Sequence, residues 1–473
     1  FGSSRLKEML FFERDPLVST DWSREVSVHD SAASTPYHAP RRCTLWTWTV
    51  VVALMHFDRG AASVVSMDSE IVLFYAVALL AWHSVGLAVG CVFAGRLLQQ
   101  VSAKAVLVLA FLANAASLTV FGLQGEVHFV LVALVRAVSG FAASLPLVFL
   151  PLWVDEYAPS EAQSQWMALV QMGVPVGQFA GSLVAAVFSW HYALLGQAIF
   201  LVLAALRVLL MPAAQVEVAN IASMRARLDS LNLHPTDGGL VRESREMLHG
   251  ISRNPLNLSL SLTMIFLHAT AAGLTLWSAP YLTLSGSAPP TLWSLCIVFS
   301  VLIAVPMLGT YLGALLCDRL EGFKAGHHTS ALRVACAFLV VASIPGPLSI
   351  SVSGFGLRLV LIICWLFGSG AFLPICAGVL MTSMPSYLRS FSTTSSTFIT
   401  HIASFAIFPS LSLWFMSWFS TPQEGFAFGV SASLCMTAPA AVLLLVAYVR
   451  EPKHVMPTGL SGADDLTFSE ISY

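Results

Sequence analysis

Charge is what this sequence has least of. Asp, Glu, Lys and Arg make up 10% of its 473 residues, where a soluble globular domain carries about 25%. A soluble exterior must be hydrated, and a chain this poor in charge cannot cover one. An ordinary soluble enzyme, a coiled coil and a disordered chain are thereby excluded. The net charge of −2 leaves no basic field for nucleic acid. The eight cysteines form no CxxC pair and sit within or beside apolar runs, so they read as small packing residues. A Walker-type GxxxxGKS/T loop, GxSxG, HExxH and the EF-hand pattern are all missing. His327-His328 lacks partners at metal-ligand spacing. No cofactor, no metal site and no enzymatic activity are expected.

Apolar residues are there in excess: 57% of the chain is hydrophobic and the mean hydropathy is +0.78. The excess runs from about residue 45 to about residue 449, which reads as a multi-pass membrane protein rather than one with a single anchor. Twelve stretches are long enough to span: 45–66, 71–95, 103–123, 127–151, 165–188, 191–211, 256–282, 292–317, 331–350, 357–381, 391–418 and 425–448. The expected plan is an N-terminal tail (1–43), a six-helix half (44–212), a charged linker (213–255), a second six-helix half (256–450) and a C-terminal tail (451–473). The chain begins at Phe1, which predicts a piece of a longer protein, and no cleavable signal peptide is visible.

The basic residues test this count. With twelve spans both tails and the linker share a side, and 20 of the 23 Lys and Arg fall there. Only Arg358 falls in a loop on the opposite side, so tails and linker are expected in the cytoplasm.

The halves repeat at matched places. Gly90-Cys-Val-Phe-Ala-Gly95-Arg96 after the second span corresponds to Gly313-Ala-Leu-Leu-Cys-Asp318-Arg319 after the eighth, at an offset of 223. Pro159-Ser160 after the fourth corresponds to Pro385-Ser386 after the tenth, at an offset of 226. Nearly equal offsets argue for parallel repeats around a central path.

On these motifs the chain resembles the major facilitator superfamily over about residues 45–450. Within it, Phe57-Asp58-Arg59-Gly60, Arg136 to Gly140, Pro151 and the Gly173 to Gly181 run are similar to the spinster-like group of lysolipid and sphingolipid carriers. The resemblance implies an all-α membrane protein of twelve helices, two six-helix parallel repeats, working by alternating access. It also implies that Gly90, Arg96, Gly313, Asp318, Arg319 and Arg389 serve conformational change, through cytoplasmic charge clamps that hold the outward-facing state. Two departures stand out. Gly95 replaces the usual Asp of the first loop motif, and Gln163 replaces the usual Arg of the first Pro-Ser motif. The first-half clamp is expected to be absent, or rebuilt from Arg96 with Asp155, Glu156 or Glu161. Ala143 stands where spinster-like proteins often carry Glu.

Charges within spans are costly and mark function. Asp58 lies ~20 Å from the tail-side start of span one, and Arg136 ~14 Å from the opposite face in span four. In a core ~30 Å thick these depths nearly coincide, so the two can meet. Arg59 follows Asp58 but points ~100° away around the helix. Asp58, Arg59, His83, Arg136 and His401 are the candidate substrate and coupling residues, with a structural ion pair as the alternative for Asp58 and Arg136. Two arginines against one acid favour an anionic substrate. His56 and His268 also fall in spans. The Ser/Thr-rich stretch from Ser390 to Ser404 reads either as close helix packing or as a polar cavity wall. Trp277, Tyr281 and Trp365 are further cavity candidates. Gly173, Gly177 and Gly181 form a small face for close helix approach, and Pro175, Pro306, Pro345, Pro374 and Pro409 predict kinks.

The expected function is a secondary active or facilitative carrier of an amphipathic organic anion, such as a lysophospholipid or sphingoid phosphate. The alternatives are a proton-coupled carrier of a small organic anion or sugar acid, and a non-transporting sensor or scaffold of the same fold. The expected partners are the lipid bilayer, the substrate and protons, with a monomer in the plasma or endolysosomal membrane.

Overall fold

The computed structural model describes residues 42–65, 70–123, 129–218, 254–284, 292–320, 322, 328–352, 355–384 and 386–450. The first half contains α1 (Arg42–Val65), α2 (Glu70–Gln100), α3 (Ala103–Leu123), α4 (Phe129–Tyr157), α5 (Gln163–Phe188) and α6 (Trp190–Leu210). The second contains α7 (Pro255–Leu284), α8 (Leu292–Arg319), α9 (His328–Ser343), α10 (Pro345–Ser351) and α11 (Phe355–Thr382). It continues with α12 (Ser386–His401), a π-helical turn (Ile402–Ile407), α13 (Phe408–Met416), α14 (Pro422–Cys435) and α15 (Thr437–Arg450). Among the described residues ten stretches are long and apolar enough to cross a membrane, and α1 and α8 complete twelve rods. Three rods are broken. Pro345 begins α10 and Pro409 falls at the start of α13, whereas Pro175, Pro306 and Pro374 sit inside continuous helices.

Glycine carries the packing within each half. In the first half α1 lies along α5, α2 along α4 and α3 along α6; in the second α8 lies along α11. A Cβ at Gly173, Gly177 or Gly181 of α5 would run into the carbonyls of Thr49, Ala53 and Phe57 on α1, so only glycine permits this approach. Gly90 abuts Phe141 and Ser144 of α4, and Gly313 abuts Ala371 of α11, so the two repeat motifs hold equivalent contacts. Gly86 and Gly309 make the same pair of contacts at the same offset of 223.

The start of the expected linker belongs to the first half. Val216 and Val218 are buried, Trp153 donates to the Gln215 carbonyl (2.9 Å), and the Glu217 carboxylate accepts from the backbone of Ala103 and Lys104 at the start of α3. The rest of the expected linker, from 219 to 253, and both expected tails, apart from Arg42, Cys43 and the ends of the neighbouring helices, lie outside the described residues.

The halves meet along two seams, α5 with α8 and α2 with the rod formed by α12, the π turn and α13. At one end of the α2 seam, Gly95 faces Ser390 and Thr394 of α12. At the other end Val77 packs with Leu276, Trp277, Met416 and Phe426. Between them lies His83, ~9 Å along α2 from Val77 and ~18 Å from Gly95.

Candidate functional site

The charged residues of the spans collect at the level of His83. Asp58 and Arg59 come from α1, His83 from α2, Arg136 from α4 and His401 from the last turn of α12; all are 1–8% exposed. Arg136 donates from Nη1 to Oδ2 of Asp58, so the two depths inferred from span positions do coincide. The Arg136 guanidinium also lies 5.8 Å from the Phe121 ring. His83 Nδ1 is 4.0 Å from the same Asp58 oxygen, too far for a hydrogen bond. Both His83 ring nitrogens, Asp58 Oδ1 and His56 Nδ1 are buried without a partner.

Arg59 has a different environment. The turn of the helix that separates it from Asp58 points it away from Arg136's partner and toward the second half. Its Nε is buried without a hydrogen bond, and no described residue accepts one from its guanidinium. Its neighbour is the face of Phe405, 4.8 Å away, on the π turn. Phe405 stacks on His401 at 5.3 Å and meets His268 edge-on at 6.0 Å. His401 and His268 each use Nδ1 at the carbonyl four residues earlier, Thr397 and Met264. Each Nε2 is therefore left to face outward from its own helix.

Residue patterns missed Phe405, although it lies four residues after His401 and so on the same helical face. They also missed Asn114, which accepts from Ser139 Oγ (2.7 Å) beside Met55 at the back of the Asp58–Arg136 pair. The Ser/Thr stretch is used for packing. Asn257 of α7 donates to Ser392, Ser261 meets Ser396, and Ser404 donates to the Ile265 carbonyl. Trp277 and Trp365 are buried in the second half with their indole nitrogens unpartnered, and the side chain of Tyr281 lies outside the described residues.

The conformational residues gather at the Gly95 end. The Asp318 carboxylate accepts from the backbone nitrogens of Ser164 and Gln165, both at 3.0 Å. These are orphan donors of the first turn of α5, whose own N-cap, Ala162, offers no side chain. Arg389 donates to Asp155 (2.6 Å), and Gln163 donates to the other Asp155 oxygen (2.9 Å). Asp155, one of the three acids expected to pair with Arg96, thus has both of its oxygens engaged. The Asp155 carboxylate is taken by Gln163 and by Arg389 of the other half, because α12 begins directly beneath the end of α4. The Arg96 side chain lies outside the described residues, and Arg319 is exposed beside Asp318.

Two parallel helical halves, a buried charge cluster between them and charge contacts bridging them at one end define the class, a membrane transporter of the two-halved kind. The profile of the Major Facilitator Superfamily matches residues 46–407, and the chain belongs to that superfamily. The comparison with curated protein sequences found no match. Among solved structures the chain is similar to the proton:xylose symporter XylE bound to 6-bromo-6-deoxy-D-glucose. The TM-score is 0.60 at 13% identity, covering 86% of this chain and 96% of that one. A double-tryptophan mutant of XylE is similar to the same degree, with TM-score 0.60 and 14% identity, covering 85% and 95%.

Proposed function

We propose that this transporter carries an amphipathic organic anion, its head group held by Arg59 and its apolar part by the hydrophobic surfaces of the two halves. The observation that carries the reading is the buried Arg59 guanidinium, which has no acceptor among the described residues. A desolvated guanidinium without an acceptor is costly, and a carboxylate or phosphate supplies the missing planar partner. Arg136 is neutralised by Asp58, which leaves Arg59 as the charge to be met. The similarity of Phe57-Asp58-Arg59-Gly60 and its companions to spinster-like carriers favours a lysophospholipid or sphingoid phosphate as cargo. The same similarity favours alternating access with tails and linker in the cytoplasm.

A second reading follows from the likeness to a proton:xylose symporter, namely a small polar solute moved with protons. His401 and His268, each with a ring nitrogen turned outward, would take the proton, since Asp58 is engaged by Arg136. The lone Arg59 favours an anion over a neutral sugar in either case.

Uptake into proteoliposomes tests both. The panel is labelled lysophosphatidic acid, sphingosine phosphate, a small dicarboxylate and xylose, with and without a pH gradient. Transport of an anion is expected to fall about ten- to a hundredfold in Arg59→Gln, the worth of a charge-assisted hydrogen-bonded pair. Anion transport unchanged in that variant, or transport of xylose alone, would refute the anion assignment.

A further inference from the structure

The ring that covers Arg59 sits on the one irregular turn of its rod. In Ile402–Ile407 the hydrogen bonding is π-helical, with the Phe408 N–H reaching back to the Ala403 carbonyl. The local sequence explains why. A continuous α-helix would have residue 409 donate to the carbonyl of residue 405, but Pro409 has no N–H and its ring collides with that carbonyl. A π turn relieves the conflict by taking in one extra residue. One residue of register is ~100° of rotation, so the π turn sets how the residues after it are rotated relative to those before it. The Ser404 hydroxyl, donating to Ile265 at 2.7 Å, anchors the turn to α7.

The aromatic face is the weaker of two possible partners. A cation–π contact holds a guanidinium less strongly than a bidentate anion does. We infer that Phe405 is a removable plug. In the empty protein its ring lies over the Arg59 guanidinium carbon, and an arriving anionic head group displaces it. This deepens the anion-carrier reading and rests on it. It makes Phe405 a specificity residue, because a neutral solute offers Arg59 only the weaker neutral hydrogen bonds and leaves the ring in place. Displacement also uncovers the His401 and His268 rings that Phe405 touches, so head group and imidazoles come together only after the plug has moved.

Two variants of the full chain test this. Phe405→Leu keeps apolar bulk and removes the π face; Phe405→Trp strengthens it. The readouts are the rate at which phenylglyoxal modifies Arg59, followed by peptide mass spectrometry, and the Kd for lysophosphatidic acid. Phe405→Leu is expected to be modified faster and to bind about tenfold more tightly, equivalent to ~1.4 kcal/mol. Phe405→Trp is expected to move both in the opposite direction, and it carries the test alone if the leucine variant does not fold. An unchanged modification rate overturns the plug whether or not the probe binds, and a weaker Kd in Phe405→Leu overturns it by making the ring part of the binding surface. Faster modification with no probe binding by any form overturns the anion-carrier reading, and the displacement with it.

Discussion

Neighbouring residues on α1 have opposite situations. Asp58 is paired with Arg136, whereas Arg59, one position on, meets only an aromatic face. The difference is rotational, since ~100° separates successive side chains on a helix. A buried pair is sensitive to the loss of one member, because the survivor keeps its desolvation cost. Asp58→Asn is therefore expected to destabilise the protein by about 3 kcal/mol or more. Asp58→Asn with Arg136→Gln should recover much of the loss. Thermal unfolding of the purified protein in detergent, run on the single and double variants, checks both. If the single variant unfolds like the wild type, Asp58 and Arg136 do not depend on each other. The shared depth of Asp58 and Arg136 was legible from their positions along two helices, though not that they touch. The solitude of Arg59 was not, because it depends on which residue of the other half stands opposite.

At the scale of the element, glycine and proline settle geometry that hydropathy does not express. The Gly173, Gly177 and Gly181 face brings α5 against α1 at carbonyl distance, as its four-residue spacing suggests. Gly177→Val would drive a branched side chain into the Ala53 carbonyl. It is expected to lower the thermal midpoint markedly or abolish folding, whereas Gly196→Ala, with open space around its Cβ, should leave the midpoint unchanged. The proline positions were readable, but their consequences differ with context. Pro345 and Pro409 fall at helix breaks, while Pro175, Pro306 and Pro374 are absorbed in continuous rods. The Ser/Thr run at 390–404 has the composition of either a wall or a seam. What decides for a seam is Asn257 and Ser261 on α7, more than a hundred residues earlier in the chain.

Over the whole molecule, the two repeats share a backbone plan but not a latch. In one half Asp318 caps the first turn of α5 across the interface. At the equivalent place in the other half stands Gly95, opposite a buried Ser390 hydroxyl that has no partner. Asp318→Ala removes a charge-assisted contact between the halves and should favour opening at that end. Gly95→Asp has room for its Cβ, 3.5 Å from Thr394, and places a carboxylate near Ser390 and the start of α12. It should favour closure at that end. Spin labels introduced at Ser160 and Leu320, both exposed and on opposite halves, give the readout by pulsed distance measurement. Asp318→Ala is expected to lengthen the mean distance and Gly95→Asp to shorten it or narrow its spread. Identical distributions in all three forms would mean that these contacts do not set the conformational balance.

The sequence by itself determined the membrane class, the rods and their repeat, because apolar length, glycine spacing and recurring motifs are properties of single segments. It also determined the level at which Asp58 and Arg136 meet, since rise per residue converts chain position into depth. Tertiary structure alone decided which charge is paired and which is not. It likewise decided that Asp155 serves Arg389, and that Phe405 covers Arg59. The last two are contacts between the halves, and their partners are separated by more than two hundred residues of chain. No local pattern encodes such a meeting; it exists only once α2 and α5 have docked against the second half.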